Sequence, residues 1–122
     1  MRDPATKEDA AAIDALLAEL DENELVLDRL CEWHYSQTED PAFDCRAISS
    51  FQSAGYNMYR LKFWPLEWAG KKYRVLYAYD NEYNEYRVLA IVKRSEYDYQ
   101  GNHAITKKVM GEYDDIGIPH LH

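Results

Sequence analysis

Arg60, Lys62, Arg74, Lys93, Arg94, Tyr97 and Tyr99 are the residues of this chain whose types and spacing could do chemistry. Cleaving RNA without a metal needs a base for the 2′-hydroxyl, positive charge around the five-coordinate phosphate, and an acid for the leaving 5′-oxygen. Arginine supplies fixed, forked donors to phosphate oxygens. Lysine or tyrosine can act as acid or base where neighbouring cations depress its pKa. Tyrosine rings also offer planar surfaces on which bases stack. The same alternation of cations also serves to solvate the outer face of a strand, with the tyrosines as half-buried packing. Spacing alone leaves both uses open.

Strands of a sheet would bring these side chains to one edge. Residues 73–79 and 86–92 are β-branched, tyrosine-rich runs, joined by Asp80-Asn81-Glu82-Tyr83-Asn84-Glu85, whose Asp and Asn residues tolerate turn geometry. This pattern predicts a hairpin. Residues 73–79 alternate, with Tyr73, Val75, Tyr77 and Tyr79 opposite Arg74, Leu76 and Ala78. The run 86–92 is apolar on both faces, which suits a central strand, and ends in Lys93-Arg94 at one edge of the sheet. Before the hairpin, Tyr59, Leu61 and Phe63 alternate with Arg60, Lys62 and Trp64, and Pro65 stops the strand. Residues 43–48 suit a short edge strand, 49–55 a loop or single turn, and 66–72, with Gly70, a connection.

The first third reads as helical. Thr6-Lys7-Glu8-Asp9 fits a capping box, and Ile13, Leu16, Leu17 and Leu20 recur as the stripe of an amphipathic helix. Asp21-Glu22-Asn23-Glu24 interrupts it and can cap a second helix, with Val26, Leu27, Leu30, Cys31, Trp33 and His34 as its apolar side. Residues 36–41 read as a loop. Ile105, Val109, Met110 and Tyr113 suit a short C-terminal helix, followed by a tail from 114 to 122. The order predicts an α+β fold, with two helices covering one face of a small antiparallel sheet. The other face, partly exposed, would carry Arg60, Lys62 and Arg74.

The net charge of −8 is unevenly placed. Residues 1–45 hold 13 acidic side chains against 3 Lys/Arg, whereas residues 46–76 hold 6 Lys/Arg against one glutamate. An acidic front half is followed by a basic segment that could face an anion. Neither a membrane-length apolar run nor a signal-peptide pattern is present in the sequence, and Cys31 and Cys45 lack metal-ligand spacing. These features predict a cytoplasmic protein with free thiols and no membrane partner. The scattered histidines, His34, His103, His120 and His122, predict no metal site, and no cofactor is expected.

Three segments carry a family resemblance: Tyr59-Arg60-Leu61-Lys62, then Lys72-Tyr73-Arg74-Val75-Leu76-Tyr77, then Val88-Leu89-Ala90-Ile91-Val92-Lys93-Arg94 followed by tyrosine. Over about residues 43–99 the chain resembles the RelE/ParE superfamily of bacterial toxins, the toxin halves of type II toxin–antitoxin modules. The resemblance implies one domain over 1–122, with a helical hairpin at 1–35, an antiparallel sheet at 43–99, and a short helix and tail at 100–122. The RelE branch implies a metal-independent endoribonuclease acting on messenger RNA at the ribosome. Arg60, Lys62 and Lys93 would then bind RNA. Arg74 and Arg94 would be catalytic, with Tyr97 or Tyr99 as acid or base. A cognate antitoxin protein is the implied partner, and the acidic Asp9–Asp28 surface is one place it could dock. The ParE branch shares the fold but poisons DNA gyrase, and an inactive protein-interaction module is a further member type. The acidic net charge opposes approach to ribosomal RNA and suits those alternatives better.

Overall fold

The computed structural model describes residues 7–22, 27–38, 42–97 and 104–120. The stripe Ile13, Leu16, Leu17, Leu20 does form a helix, α1 (Lys7–Asp21), and lays Ile13 and Leu20 into the core. Thr6 and the rest of the first six residues lie outside the described residues, so the expected capping box does too. Asp9 is buried, accepts a hydrogen bond from the Tyr73 hydroxyl at 2.9 Å and pairs with Lys71 at 2.7 Å.

The expected second helix does not run to His34. Residues 28–33 are turns and bends, and β1 (His34–Gln37) begins where the helix was expected to end. Hydrogen bonding supplies the reason. The hydroxyls of Tyr86, Tyr77 and Tyr59 donate to the main-chain carbonyls of Leu27, Leu30 and Cys31. Those carbonyls would otherwise accept from amides four residues on, so sheet side chains satisfy groups that a helix would pair internally. The apolar residues of this stretch still enter the core, with Leu30 buried and Leu27 and Cys31 packed against it.

The remaining strands are β2 (Phe43–Ala47), β3 (Met58–Phe63), β4 (Tyr73–Asp80) and β5 (Glu85–Lys93). They form a five-stranded antiparallel sheet in the order β1-β2-β3-β4-β5. Two strand placements differ from expectation. Residues 43–47 are internal because β1 covers their outer side, and β5 lies at the edge rather than the centre. The doubly apolar half of β5 arises from helices on both faces, not from strands on both sides. Ala90, Ile91 and Val92 are buried, while Val88 near the turn is about half exposed.

Among the described residues the further α-helices are α2 (Ser49–Ser53), α3 (Trp64–Trp68) and α4 (Ala104–Ile116), with a 3-10 turn at Arg94–Glu96. Pro65 ends β3 as expected and occupies the first turn of α3, where its missing N–H costs nothing. The predicted 80–85 connector is a turn, with Asp80 Oδ1 accepting from the amides of Glu82 and Tyr83, and Asn84 in the left-handed region at φ 54°. The C-terminal helix extends through 114–116, and 117–120 is not a loose tail. Ile118 is buried, Tyr113 donates to the Pro119 carbonyl at 2.6 Å, and His120 meets Asp114 at 2.7 Å.

Alternation along the strands divides the core into two layers. Tyr59, Leu61, Phe63, Tyr73, Val75 and Tyr77 pack beneath α1 and the 27–31 segment. Met58, Leu76, Ala78, Ala90 and Val92 face the opposite way and are covered by Phe51 of α2 and by Val109 and Tyr113 of α4. The molecule is therefore α+β, with helices on both faces of an antiparallel sheet. The second face is only partly covered, and its uncovered part carries the charge. No helix among the described residues is long and apolar enough to cross a membrane.

Candidate functional site

The uncovered part of the second face is built by β1, β2, β3 and the start of β4. Register pairs His34 with Arg46, Asp44 with Lys62, and Arg46 with Arg60, so all of them share that face. Arg60 pairs in turn with Leu76, and Arg74 with Val92, which adds Arg74 to the same face. The expected grouping of Arg60, Lys62 and Arg74 is thus observed.

Asp44 is the buried centre of this group. One carboxylate oxygen accepts from His34 Nε2 at 2.7 Å and the other from Arg60 Nη1 at 2.7 Å. Burial pushes the Asp44 carboxyl up, but the hydrogen bonds from His34 and Arg60 and the arginine charge outweigh it and hold the group below its ordinary value. An ionised carboxylate is acceptor only, so Nε2 of His34 carries the proton of this contact. In the neutral imidazole, Nδ1 then holds the lone pair. His34 itself is half exposed. Arg46 Nη2 stands 3.4 Å from its Nε2, adding a cation at the outer edge.

Lys62 lies beside this centre, with Nζ 4.7 Å from the Trp64 ring centroid. Partial burial, then the charges of Arg60 and Arg74, lower its pKa from the usual lysine value. A lysine lowered in this direction gives up its proton more readily. Arg74 is buried and donates to Glu67 of α3, which fastens the helix to the sheet. Across the patch, Arg46, Arg60, Lys62 and Arg74 outnumber Asp44 and Glu67 by two charges.

The other expected residues lie elsewhere. Lys93 pairs with Tyr73, on the α1 side of the sheet, and so faces away from Arg74. Lys93 and Arg94 instead line a pocket of about 630 Å³ with Lys71, Lys72 and Asp9. Arg94 donates to the Tyr97 carbonyl at 3.0 Å. Tyr97 is 2% exposed, and its hydroxyl is hydrogen-bonded to that of Thr106 beneath α4. Tyr99 lies outside the described residues. The single cationic edge therefore resolves into a face around Asp44 and a separate corner around Lys93 and Arg94.

His34, Asp44, Arg46 and Glu67 were not among the candidates. His34 and Asp44 are ten residues apart and on different strands, so pairwise spacing along the chain carries no sign of their contact. One usable signal existed: a histidine and a carboxylate in runs that flank a short polar loop, which a hairpin would bring face to face.

No protein-family model, curated protein or solved structure significantly matches this chain. The site is read from its own geometry.

Proposed function

We propose that the charged half-face binds and cleaves RNA without a metal, as the toxin of a type II toxin–antitoxin module. The observation that carries this reading is the His34–Asp44–Arg60 contact with Lys62 and Arg74 on the same face. In this mechanism Nδ1 of His34 takes the 2′-hydroxyl proton while Asp44 holds the ring and balances the imidazolium that forms. The 2′-oxygen attacks phosphorus, giving a 2′,3′-cyclic phosphate, and the bond to the 5′-oxygen breaks. Lys62 protonates that leaving oxygen. Arg46, at the exposed rim, balances the charge of the five-coordinate phosphate, while Arg74, buried against Glu67, lies beneath the face. Tyr97 is buried with its hydroxyl on Thr106, so the base in this proposal is His34 rather than Tyr97. The fold-specific RelE assignment, the ribosomal messenger substrate and the antitoxin partner belong to the same proposal and rest on the sequence resemblance.

The test incubates the purified protein with messenger RNA on programmed ribosomes and maps new ends. Cleavage by the wild type and none by His34→Ala supports the reading; intact message with a folded wild type overturns it. One observation favours a second reading. Asp44 and Glu67 already neutralise Arg60 and Arg74, and the chain carries −8 overall. A protein target, gyrase or another, suits such a surface, and inhibition of gyrase supercoiling with message left intact would select it.

A further inference from the structure

Trp64 and Trp68 stand four residues apart on α3, a spacing that places two side chains on one side of a helix. Trp64 faces the charged half-face. Lys62 Nζ lies over one face of its ring, 4.7 Å from the centroid, which leaves the other face for a base, and its Nε1 donates to Ser36 Oγ at 3.4 Å. Leu66, on the opposite side of the short helix, packs into the α1-side core, and Glu67 accepts from Arg74. These contacts fix α3 from below and leave Trp68, the last residue of the helix, with 72% of its surface exposed. A solitary exposed tryptophan needs no explanation. One held on an anchored helix, a turn away from a second tryptophan that meets Lys62 of the cationic face, combines the two ingredients of a single-strand binding surface: charge for the phosphates and planar rings for the bases.

We propose that Trp64 and Trp68 form a stacking platform for unpaired bases of the strand whose phosphates Arg46 and Lys62 hold. The ligand is single-stranded RNA lying along α3 with its bases toward the protein. A duplex is excluded from this mode because its base faces are already stacked on one another. The proposal rests on the RNA reading above and adds the rings that select a single strand.

The experiment titrates the full chain with a 2′-O-methyl oligouridylate, which binds but lacks the attacking hydroxyl, and follows tryptophan fluorescence. A 2′-O-methyl duplex of equal phosphate number is the comparison. The expected result is quenching by the single strand, weaker binding of the duplex, and a loss of about 5- to 100-fold in affinity for Trp68→Ala. Trp68→Phe, which keeps a ring, should stay close to wild type, and so should Trp33→Phe. Wild-type affinity in a folded Trp68→Ala protein would overturn the platform while leaving the cationic face as the binding site. Equal binding of single strand and duplex would overturn it as well. Binding of neither by the folded wild type would overturn the platform and the RNA reading together.

Discussion

His34 and Asp44 meet at 2.7 Å across the β1–β2 pair, one half exposed and the other buried. The pair joins the solvent to the interior of a charged face. Through its second oxygen Asp44 also holds Arg60, so one carboxylate serves a proton-transfer group and a structural cation at once.

Asp44 is accordingly expected to matter for stability. Its removal leaves Arg60, whose side chain is 13% exposed, without its ionic partner. Asp44→Ala should cost about 3–5 kcal/mol in urea unfolding. The double replacement Asp44→Leu with Arg60→Met should recover most of it, because no charge is then stranded. A double variant as unstable as the single would show that packing, not charge, sets the cost. The pH dependence has a definite sign. The folded carboxyl is held below its unfolded value of about 3.9, so its contribution is complete above that pH and is lost as pH falls through the lower folded value.

His34 should separate activity from stability. Its ring is half exposed, so His34→Gln should change unfolding free energy by no more than about 1 kcal/mol. If it is the base, cleavage should fall by about 10²- to 10⁴-fold. Full cleavage by His34→Gln would remove it from the chemistry.

Glu67 and Arg74 should couple α3 to the sheet. Both side chains are nearly buried, so a double-mutant cycle with Glu67→Gln and Arg74→Met should give a coupling of about 1–3 kcal/mol. A coupling near zero would mean that the Leu66 packing and the Trp64 contacts seat the helix without this ion pair.

What the sequence made legible was periodic. The two-residue alternation of Tyr59–Phe63 and of Tyr73–Tyr79 predicted which side chains enter the α1-side core, and Arg60, Lys62 and Arg74 did fall on one face. Non-local pairing was not legible. The 28–33 stretch has helical spacing of apolar residues, but its carbonyls bond to tyrosines 28 to 59 residues away. The resemblance offered Tyr97 as an acid or base, yet Thr106 and α4 enclose it. Asp44 gave no local sign of being the centre of the face, since both its partners come from neighbouring strands.

The same tyrosine contacts predict alkaline sensitivity. Burial is the main cause that raises the hydroxyls of Tyr59, to about 12, and of Tyr77 and Tyr86, above the ordinary tyrosine value of about 10. Between the unfolded and folded values the native chain binds more protons than the unfolded one, so stability falls as pH rises above about 10. Tyr77→Phe removes the proton donor to the Leu30 carbonyl, which should cost about 1–3 kcal/mol at neutral pH because that carbonyl loses its buried partner. The variant also removes one titrating group, so its stability should decline less steeply with pH than the wild type's. Urea midpoints of both proteins measured from neutral pH to pH values near the Tyr59 pKa would check this. Parallel curves would place the alkaline transition on other groups and leave the Tyr77 hydroxyl with only its neutral-pH role of holding the 27–31 segment on the sheet.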